Sequence, residues 1–471
     1  MIDLFCFRGF PVAVMGLARS GLAAARALKE SGATVLAWDD SPARRAEAEA
    51  AGIPLHDLHD ADFTRIAALV LAPGIPHTFP ERHPVVAKAR AVGVEVIGDI
   101  ELLARSEHEA CWIGITGTNG KSTTTSLIGH IIKLSGRSVA VGGNLGMPVL
   151  GLAPMGANGT YVLELSSYQL ELTRSAPFSV AVLLNITPDH LDRHGGMDGY
   201  IDAKLQIFKQ KPVDGSRQLT AVLSIDDGPC QLLRFELDRR PDEITVIPIS
   251  VERKAAGGVY VKHGMLIDDT ESQAEERLDL RTLSALPGRH NWQNVCASYA
   301  AARAAGVHPA LILHAICSFP GLVHRQQRVT EIKGVTFVND SKATNADAAS
   351  KALHCYHNIY WILGGKSKEG GLDGLEKLMG RIRHAYLIGA CSDVFAEWLE
   401  GKVPYTKCGT LDVAVAESAR LALTEQKSGA TVLLSPACAS FDQFTDFEAR
   451  GAAFIDLVNR LAAEPSNGGT R

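Results

Sequence analysis

The chain has 471 residues, too many for a single hydrophobic core, so we expect two to four domains. Hydrophobic residues make up 46% and charged residues 21%, as in soluble globular proteins, and the formal net charge of −5 gives no reason to expect nucleic-acid binding. No apolar run is long enough to insert into a membrane, and nine cysteines without a C-x-x-C pair favour reduced thiols in the cytoplasm over a disulfide framework or a zinc site.

The chain opens with a pattern that is typical of a Rossmann-type domain. Residues 11–16 predict a buried strand, residues 22–30 a helix, and residues 34–38 a second strand that ends in Asp39 and Asp40. Either carboxylate could accept a hydrogen bond from a ribose or a base, and a solvated strand end is an equal alternative.

The glycine fingerprint of dinucleotide-binding domains is broken, because Ala18 replaces the glycine that lets backbone approach a pyrophosphate. An NAD-dependent dehydrogenase would depend on this N-terminal motif alone, so a different nucleotide is favoured. A further strand runs into a turn at Pro73 and Gly74, at the sheet edge where ligands collect in such domains.

Residues 114–123 read Gly-Ile-Thr-Gly-Thr-Asn-Gly-Lys-Ser-Thr between a predicted strand and a predicted helix, the context of a phosphate-binding loop. Backbone N–H groups of such a loop wrap a phosphate, and the following helix directs its positive end at it. Lys121 would reach the terminal phosphates and Ser122 would offer a hydroxyl to Mg²⁺. Ile115 stands where the first glycine is expected, so an ordinary glycine-rich turn is the alternative.

Three further residues of the central region carry possible chemistry. Glu164 lies at the end of an apolar strand, where an unpaired acid is costly unless it binds a partner or a metal. His190 follows Asp189 in a polar loop, and Lys204 lies among apolar neighbours of a predicted helix. Taken alone, His190 could be a loop or capping histidine and Lys204 a lysine that extends to solvent.

A third α/β pattern follows residues 319–321. We expect its strands at 335–339, 360–363, 385–388 and 431–434. Polar loops follow at 340–345, 364–368 and 435–442, whereas residues 464–471 predict a loose tail.

These motifs, in this order, resemble the Mur ligase family of peptidoglycan synthesis over nearly the whole chain. The matching blocks are 116–123 (the ATP loop), 164–171, 185–192, 290–294 and 324–325. Within the family, residues 339–345 and 435–444 are most similar to members that join D-glutamate to UDP-N-acetylmuramoyl-L-alanine. The Asp-Asn-Pro-Arg signature of the diaminopimelate- and lysine-adding members is absent.

The resemblance implies an α/β fold of three domains: a Rossmann-like domain for the UDP substrate (1–99), a central P-loop domain for ATP with a mainly parallel sheet (100–321), and a Rossmann-like domain for the amino acid (322–471). ATP would phosphorylate the alanyl carboxylate, and the amine of D-glutamate would displace phosphate from the acyl phosphate. Within the ligase class, the nearest alternative is a folylpolyglutamate synthetase. Such a relative is similar to this family only in the later two-thirds, so the Rossmann-like first domain argues against it. A non-catalytic relative would be expected to lose Lys121, Glu164 or Lys204, and all three are present.

The resemblance also implies the site residues. Lys121, Glu164, His190 and Lys204 would be catalytic. Two Mg²⁺ ions would be held, one by Ser122 and Glu164 and the other by His190 and Lys204. Lys204 would carry a CO₂-derived carbamate, because burial favours the neutral amine that adds CO₂ and the product is an oxygen ligand for Mg²⁺.

Substrate contacts complete these expectations, for a protein that we expect to be a monomer. The ATP contacts would be Gly117, Thr118, Asn119, Gly120, Lys121, Ser122, Thr123, Asn294, Arg325 and Asp340. The UDP-substrate contacts would be Arg19, Ser20, Asp39, Pro73, Gly74, Asn144 and His190. The D-glutamate contacts would be Lys342, Thr344, Lys368, Ser440 and Phe447, with Lys366 an alternative to Lys368 and helix capping an alternative role for Ser440.

Overall fold

The computed structural model describes residues 2–210, 218–271, 273–367 and 370–463. The chain divides into two compact units: Met1–Leu280 with Asn291–Phe319, and Arg281–His290 with Pro320–Arg471. The first unit holds two sheets and the second holds one, all mainly parallel. Three sheets flanked by helices confirm the predicted α/β fold of three domains. The domain boundaries at residues 99 and 321 stay a prediction.

The first sheet is wholly parallel, in the order β2-β1-β3-β4. Its strands are β1 (Pro11–Met15), β2 (Thr34–Trp38), β3 (Ala68–Leu71) and β4 (Glu95–Ile97). Its helices are α1 (Arg19–Glu30), α2 (Pro42–Ala50), α3 (Pro84–Ala91) and α4 (Asp99–Ser106). The strand order reverses between β1 and β3, and the crevice at such a point is where ligands bind in open parallel sheets.

Helix α4 connects β4 of the first sheet to β5 of the central sheet and is buried in the core. Ile100, Leu102 and Leu103 are fully buried in a hydrophobic cluster that also contains Leu28 of α1 and Trp112 of the central sheet. The first two sheets therefore share one continuous core within the first unit.

The central sheet has nine strands in the order β13-β12-β11-β10-β9-β8-β5-β7-β6. All neighbours are parallel except β11–β12 and β12–β13. The strands are β5 (Cys111–Thr116), β6 (Ser138–Gly143), β7 (Gly159–Glu164), β8 (Phe178–Leu183), β9 (Leu219–Ser224), β10 (Ile244–Ser250), β11 (Val259–Lys262), β12 (Met265–Asp268) and β13 (Glu275–Asp279). The helices are α5 (Lys121–Leu134), α6 (Ser167–Glu171), α7 (Leu191–His194), α8 (Met197–Leu205), α9 (Gly228–Leu237), α10 (Arg289–Ala304) and α11 (Pro309–Ser318).

Helix α9 precedes the short strands β10 to β13 of the central sheet. The Asp227 side chain caps this helix by accepting a hydrogen bond from the Cys230 N–H, 2.9 Å away. Leu232 and Phe235 are 68% and 67% exposed. Apolar residues therefore lie on more than one face, which obscures the helical periodicity in the sequence.

The third sheet has the order β14-β15-β19-β16-β17-β18, with only β14 antiparallel to its neighbour. Its strands are β14 (Gln327–Ile332), β15 (Val335–Asn339), β16 (Ile359–Gly364), β17 (Ile382–Ile388), β18 (Tyr405–Gly409) and β19 (Thr431–Leu434). Its helices are α12 (Ala346–Cys355), α13 (Ser392–Leu399), α14 (Leu411–Glu425) and α15 (Phe447–Ala463). The four predicted strands are confirmed, and the two that were missed, β14 and β18, are the partly exposed edges.

Candidate active site

The phosphate-binding loop lies between β5 and α5, as the sequence predicts. Gly120 caps α5 in the left-handed conformation, with φ of 87°. A Cβ atom there would lie 2.3 Å from Oδ1 of Asn294 on α10. Only glycine meets both requirements, because the backbone conformation and the space exclude a side chain. The fold therefore brings Asn294, a predicted ATP contact, against the loop.

Two lysine amines meet on one backbone carbonyl of this loop. Lys121 Nζ donates to the carbonyl oxygens of Gly117 and Thr118 at 2.9 and 2.8 Å. Lys204 Nζ donates to the same Gly117 oxygen at 2.9 Å. The loop thus carries the Lys121 ammonium and the Lys204 amine close to the positive end of α5, an arrangement that suits a polyphosphate.

Lys204 is 2% exposed, so it does not extend to solvent. Its amine lies 4.6 Å from the centre of the Tyr200 ring. Burial, and next the positive charge of Lys121, lower the pKa of Lys204 to about 7. A substantial fraction of the amine is therefore neutral near neutral pH, as carbamate formation requires.

Glu164 ends β7 beside the loop, paired in register with Ile115 of β5. The side chain is buried, and its Oε1 accepts a hydrogen bond from Asn144 Nδ2 at 2.7 Å. Its Oε2 is buried and has no hydrogen-bond partner among the described residues. A buried carboxylate oxygen is costly without a partner, and a divalent cation is one such partner.

His190 precedes α7 in the left-handed conformation, with φ of 52°. Its ring is half exposed and lies 5.2 Å from the Tyr168 ring. Its Nε2 lies 3.5 Å from Oδ2 of Asp189. The loop therefore presents an imidazole at the surface of the first unit.

The predicted UDP-substrate residues of the first sheet lie at its carboxyl end and in the turns there, whereas Asn144 follows β6 and His190 precedes α7 in the central region. Arg19 and Ser20 begin α1, where backbone N–H groups are available to an anion, and the Arg19 guanidinium donates to the Gly146 carbonyl. Asp39 shapes the turn itself, because its carboxylate accepts from the N–H of Leu17 at 2.6 Å and of Ser41 at 2.8 Å.

Asp40 is held by two histidines, with His59 Nε2 at 3.1 Å and His83 Nε2 at 2.9 Å from its two oxygens. These three side chains could in principle hold a metal ion. However, His83 Nδ1 accepts a hydrogen bond from the Val85 N–H at 3.3 Å, which leaves the proton on Nε2. The observed contacts therefore favour a hydrogen-bonded cluster at Asp40.

In the second unit, the predicted ATP residue Asp340 follows β15 and is buried. Its Oδ1 accepts from the Gln326 N–H at 3.1 Å and its Oδ2 from the Ser435 hydroxyl at 2.8 Å. Burial raises the pKa of Asp340 to about 7, and the hydrogen bonds from Ser435 and Gln326, followed by the charge of Arg325, oppose this rise. Asp340 thus ties the Arg325–Gln326 segment to the end of β19.

Some of the residues that are predicted to bind D-glutamate lie close together. Lys342 Nζ lies 5.1 Å from the centre of the Phe447 ring, so these two are neighbours. Thr344 follows Lys342 in the same loop, where its N–H donates to the Lys342 carbonyl at 2.9 Å, and Ser440 is buried in the loop after β19. Lys368 lies outside the described residues.

Arg450 connects the loops of this unit and was not predicted. It is buried on α15, and its guanidinium donates to Ser341 Oγ at 3.0 Å and to the carbonyls of Ser341 and Cys438 at 2.8 and 3.1 Å. The sequence does indicate that Arg450 is buried, since Phe447, Arg450 and Phe454 share one face of a helix at spacings of three and four.

Comparison with known proteins decides the family. Residues 115–302 match the Mur ligase middle domain. The chain is 53% identical to the UDP-N-acetylmuramoylalanine–D-glutamate ligase of Paramagnetospirillum magneticum, over 97% of this chain and 98% of that protein. It is 51% identical to the ligase of the same name from Rhodospirillum rubrum, over 100% and 99%.

The chain belongs to the Mur ligase family.

Solved structures of the family share its fold. The UDP-N-acetylmuramate–alanine ligase MurC of Thermotoga maritima superposes with a TM-score of 0.56 at 16% identity, over 96% of this chain and 99% of that one. MurF of Acinetobacter baumannii gives a TM-score of 0.55 at 20% identity, over 79% and 88%. Within the described residues, the helices of this Mur ligase are too short or too polar for any of them to cross a membrane.

A Mur ligase requires ATP and Mg²⁺, and the donor set of this one fits a magnesium ion. The unpartnered Oε2 of Glu164 and the Ser122 hydroxyl are hard oxygen donors of the kind that Mg²⁺ prefers. Ser122 lies in the first turn of α5, directly after Lys121. Bound there, the ion would neutralise charge on the phosphates of ATP.

A hydrogen-bonded network of side chains around Glu171 in this Mur ligase was not predicted from the sequence. Glu171 accepts from His77 Nε2 at 2.9 Å and from His194 Nδ1 at 3.0 Å, and His194 Nε2 lies 2.9 Å from Ser167 Oγ. Burial alone would raise the pKa of Glu171, but hydrogen bonds from His194 and then His77 outweigh it and lower the pKa to about 2.

The network around Glu171 links two segments that are predicted to contact the UDP substrate. His77 follows the Pro73-Gly74 turn of the first sheet, and His194 ends α7 behind His190. Arg193 of the same helix donates to the Gly74 carbonyl at 2.9 Å. The loop that presents His190 is therefore held against the turn predicted to contact the UDP substrate.

Replacing Glu171 by glutamine should loosen this link. An amide keeps the shape but loses the charge that attracts two imidazoles, and hydrogen bonds to charged groups contribute about 2 kcal/mol each. We expect the KM for the UDP substrate to rise about tenfold, with the KM for ATP little changed. Steady-state kinetics measure both, with Glu49→Gln on the exposed face of α2 as the control. Equal rises in both KM values would contradict a role specific to the UDP side.

Proposed function

We propose that this Mur ligase joins D-glutamate to the alanyl carboxylate of UDP-N-acetylmuramoyl-L-alanine, with ATP cleaved to ADP and phosphate, as a cytoplasmic step of peptidoglycan synthesis. The carrying observation is the 53% identity, over 97% of the chain, to a ligase that bears this name. The lysine pair on the Gly117 carbonyl and the unpartnered oxygen of Glu164 support the same reaction.

The reaction needs positioning and neutralisation of charge more than covalent chemistry by the protein. Phosphoryl transfer from ATP to the alanyl carboxylate gives an acyl phosphate, whose carbonyl carbon the amine of D-glutamate attacks. The tetrahedral species then loses phosphate and leaves an amide. The Lys121 ammonium would stabilise the negative charge of the transferred phosphoryl group.

The finer cofactor assignments belong to this proposal. Ser122 and Glu164 would hold one Mg²⁺, and His190 with a carbamate on Lys204 would hold a second. The neutral amine that a pKa of about 7 allows at Lys204 supports carbamate formation. We propose that the protein is a monomer.

The amino-acid contacts form the last part of the proposal. Lys342, Thr344, Ser440 and Phe447 would surround D-glutamate, with Arg450 holding the two loops on which Lys342, Thr344 and Ser440 lie. A folylpolyglutamate-synthetase-like ligase is the alternative, and the parallel sheet β1–β4 favours a UDP-substrate domain over it.

The test is phosphate release from ATP in the presence of UDP-N-acetylmuramoyl-L-alanine and one amino acid at a time. We expect release with D-glutamate and little with L-glutamate, D-alanine or diaminopimelate. Release only with L-glutamate and a folate substrate would support the alternative, and no release with any acceptor would support a non-catalytic relative.

Lys368→Ala should raise the KM for D-glutamate about tenfold, since one charge-assisted contact to a carboxylate contributes about 1.5 kcal/mol, while the KM for ATP stays within twofold. Lys366→Ala is the matched control two residues away, on a residue whose backbone pairs with Ala439. The reverse pattern, with the rise in Lys366→Ala, would move the contact to Lys366.

A further inference from the structure

Two buried cysteines of the second unit, Cys391 and Cys438, place their sulfur atoms 3.4 Å apart. They are 47 residues apart in the chain. Cys391 precedes α13 as its N-cap residue, and Cys438 lies in the loop between β19 and Ser440. The approach of the two thiols is therefore a product of tertiary structure, and the proposed reaction uses neither of them.

The surroundings give the two sulfurs different roles. Cys391 lies at the positive end of α13, which favours a thiolate, and its sulfur lies within hydrogen-bond distance of the Cys438 thiol. The hydrogen bond with Cys438 lowers the pKa of Cys391. The proton is accordingly held on Cys438, whose pKa is raised by the hydrogen bond to Cys391 and by burial. Cys391 is thus the nucleophile of the pair.

The backbone around the pair is tightly fixed. The Cys391 N–H donates to the Gly365 carbonyl at 3.0 Å, and a Cβ at Gly365 would lie 2.3 Å from the Ala439 carbonyl oxygen and 3.2 Å from the Cys438 Cβ. Arg450 holds the Cys438 carbonyl from the other side. Gly365 therefore lets the two cysteine segments come together.

We propose that Cys391 and Cys438 are a site of reversible oxidation, which a hydroperoxide converts to a disulfide that disturbs the loop carrying Ser440. The Cys391 thiolate attacks one peroxide oxygen, the O–O bond breaks, and the other oxygen leaves as water after taking a proton. The Cys438 sulfur then attacks the resulting sulfenic acid, its proton leaves with the hydroxyl as water, and the S–S bond forms. Two thiols and one H₂O₂ give one disulfide and two waters.

The disulfide would change the amino-acid site. The two sulfur atoms must approach from 3.4 Å to about 2 Å to form an S–S bond. This movement would displace Cys438, which lies two residues before Ser440. This consequence rests on the proposed function, since it requires Ser440 to contact D-glutamate. Displacements of this size lower rates by about tenfold or more in positioned sites.

The test treats the full-length protein with hydrogen peroxide, then maps peptides without reduction. We expect a cross-linked Cys391–Cys438 peptide, the loss of two free thiols and an about tenfold higher KM for D-glutamate, all reversed by dithiothreitol. Cys408→Ser, a partly buried cysteine on β18 of the same unit, should behave as the wild type. Cys391→Ser should give no cross-link and keep its KM after peroxide.

The outcomes of this experiment test the oxidation site and its effect on the Ser440 loop separately. Absence of the cross-linked peptide from native wild-type protein would overturn the oxidation site, whatever the ligase activity, and this result needs no variant to fold. A cross-linked protein with an unchanged KM for D-glutamate would overturn the effect on the loop. Absence of ligase activity before oxidation would instead count against the proposed function, and peptide mapping would still decide the site.

Discussion

Replacing Lys121 by alanine should lower ligase turnover by about 10³-fold, a loss of about 4 kcal/mol of transition-state stabilisation. The Lys121 ammonium is held at the mouth of the phosphate-binding loop by the Gly117 and Thr118 carbonyls, where a phosphoryl group would replace them. The fold should persist, because α5 is anchored by the buried residues Leu127, Ile128 and Ile131. Phosphate release and a thermal melting curve measure the two quantities.

Lys133→Ala is the matched control, since Lys133 is an exposed lysine in the last turn of the same helix. Its turnover should equal that of the wild type. A folded Lys121→Ala protein with near-normal phosphate release would refute the assignment of this loop to ATP.

Lys204→Ala should be nearly inactive, and a small carboxylate such as acetate in excess should restore part of the activity. A buried ammonium beside the loop would repel the second Mg²⁺, whereas a carbamate or an acetate supplies an anionic oxygen at the same place. Lys204→Arg should not be rescued, because its guanidinium stays charged and occupies the space. The exposed Lys209, shortly after α8, gives the control Lys209→Ala.

The carbamate should also depend on pH. Because the pKa of Lys204 is lowered to about 7, the amine is mostly protonated at pH 6 and mostly neutral at pH 8. Protein stripped of CO₂ should therefore regain activity faster with added bicarbonate at pH 8 than at pH 6. Two results would contradict a carbamate on Lys204 and leave it a structural role. One is full activity of Lys204→Ala without any added carboxylate, and the other is no carbamate signal after ¹³CO₂ labelling with nucleotide and Mg²⁺.

Features set by local sequence were predictable. The loop at 114–123 is defined by glycines and by Lys121 and Ser122 within ten residues, so strand, turn and helix all follow from neighbouring residues. Glu164 was found for a similar reason, since an acid at the end of an apolar strand is conspicuous. The four inner strands of the third sheet each contain a mostly apolar, buried stretch, as expected for strands buried on both faces.

Features set by pairing of distant residues were not predictable. Nothing local to Glu171 indicates that His77, 94 residues earlier, will meet its carboxylate. The unpartnered oxygen of Glu164 depends on where Asn144 places its amide, which follows from the pairing of β6 with β7. Strands β14 and β18 were missed because edge strands are polar on their open side and lose the apolar signal.

The most direct measurement of the central reaction uses UDP-N-acetylmuramoyl-L-alanine labelled with ¹⁸O in its alanyl carboxylate. With ATP, Mg²⁺ and D-glutamate, we expect mass spectrometry to find the nucleotide substrate extended by one glutamyl residue and one ¹⁸O in the released phosphate, since attack on an acyl phosphate expels the carboxylate oxygen with phosphorus. Unlabelled phosphate, or an extended product that forms equally well with L-glutamate, would contradict the proposed ligase reaction.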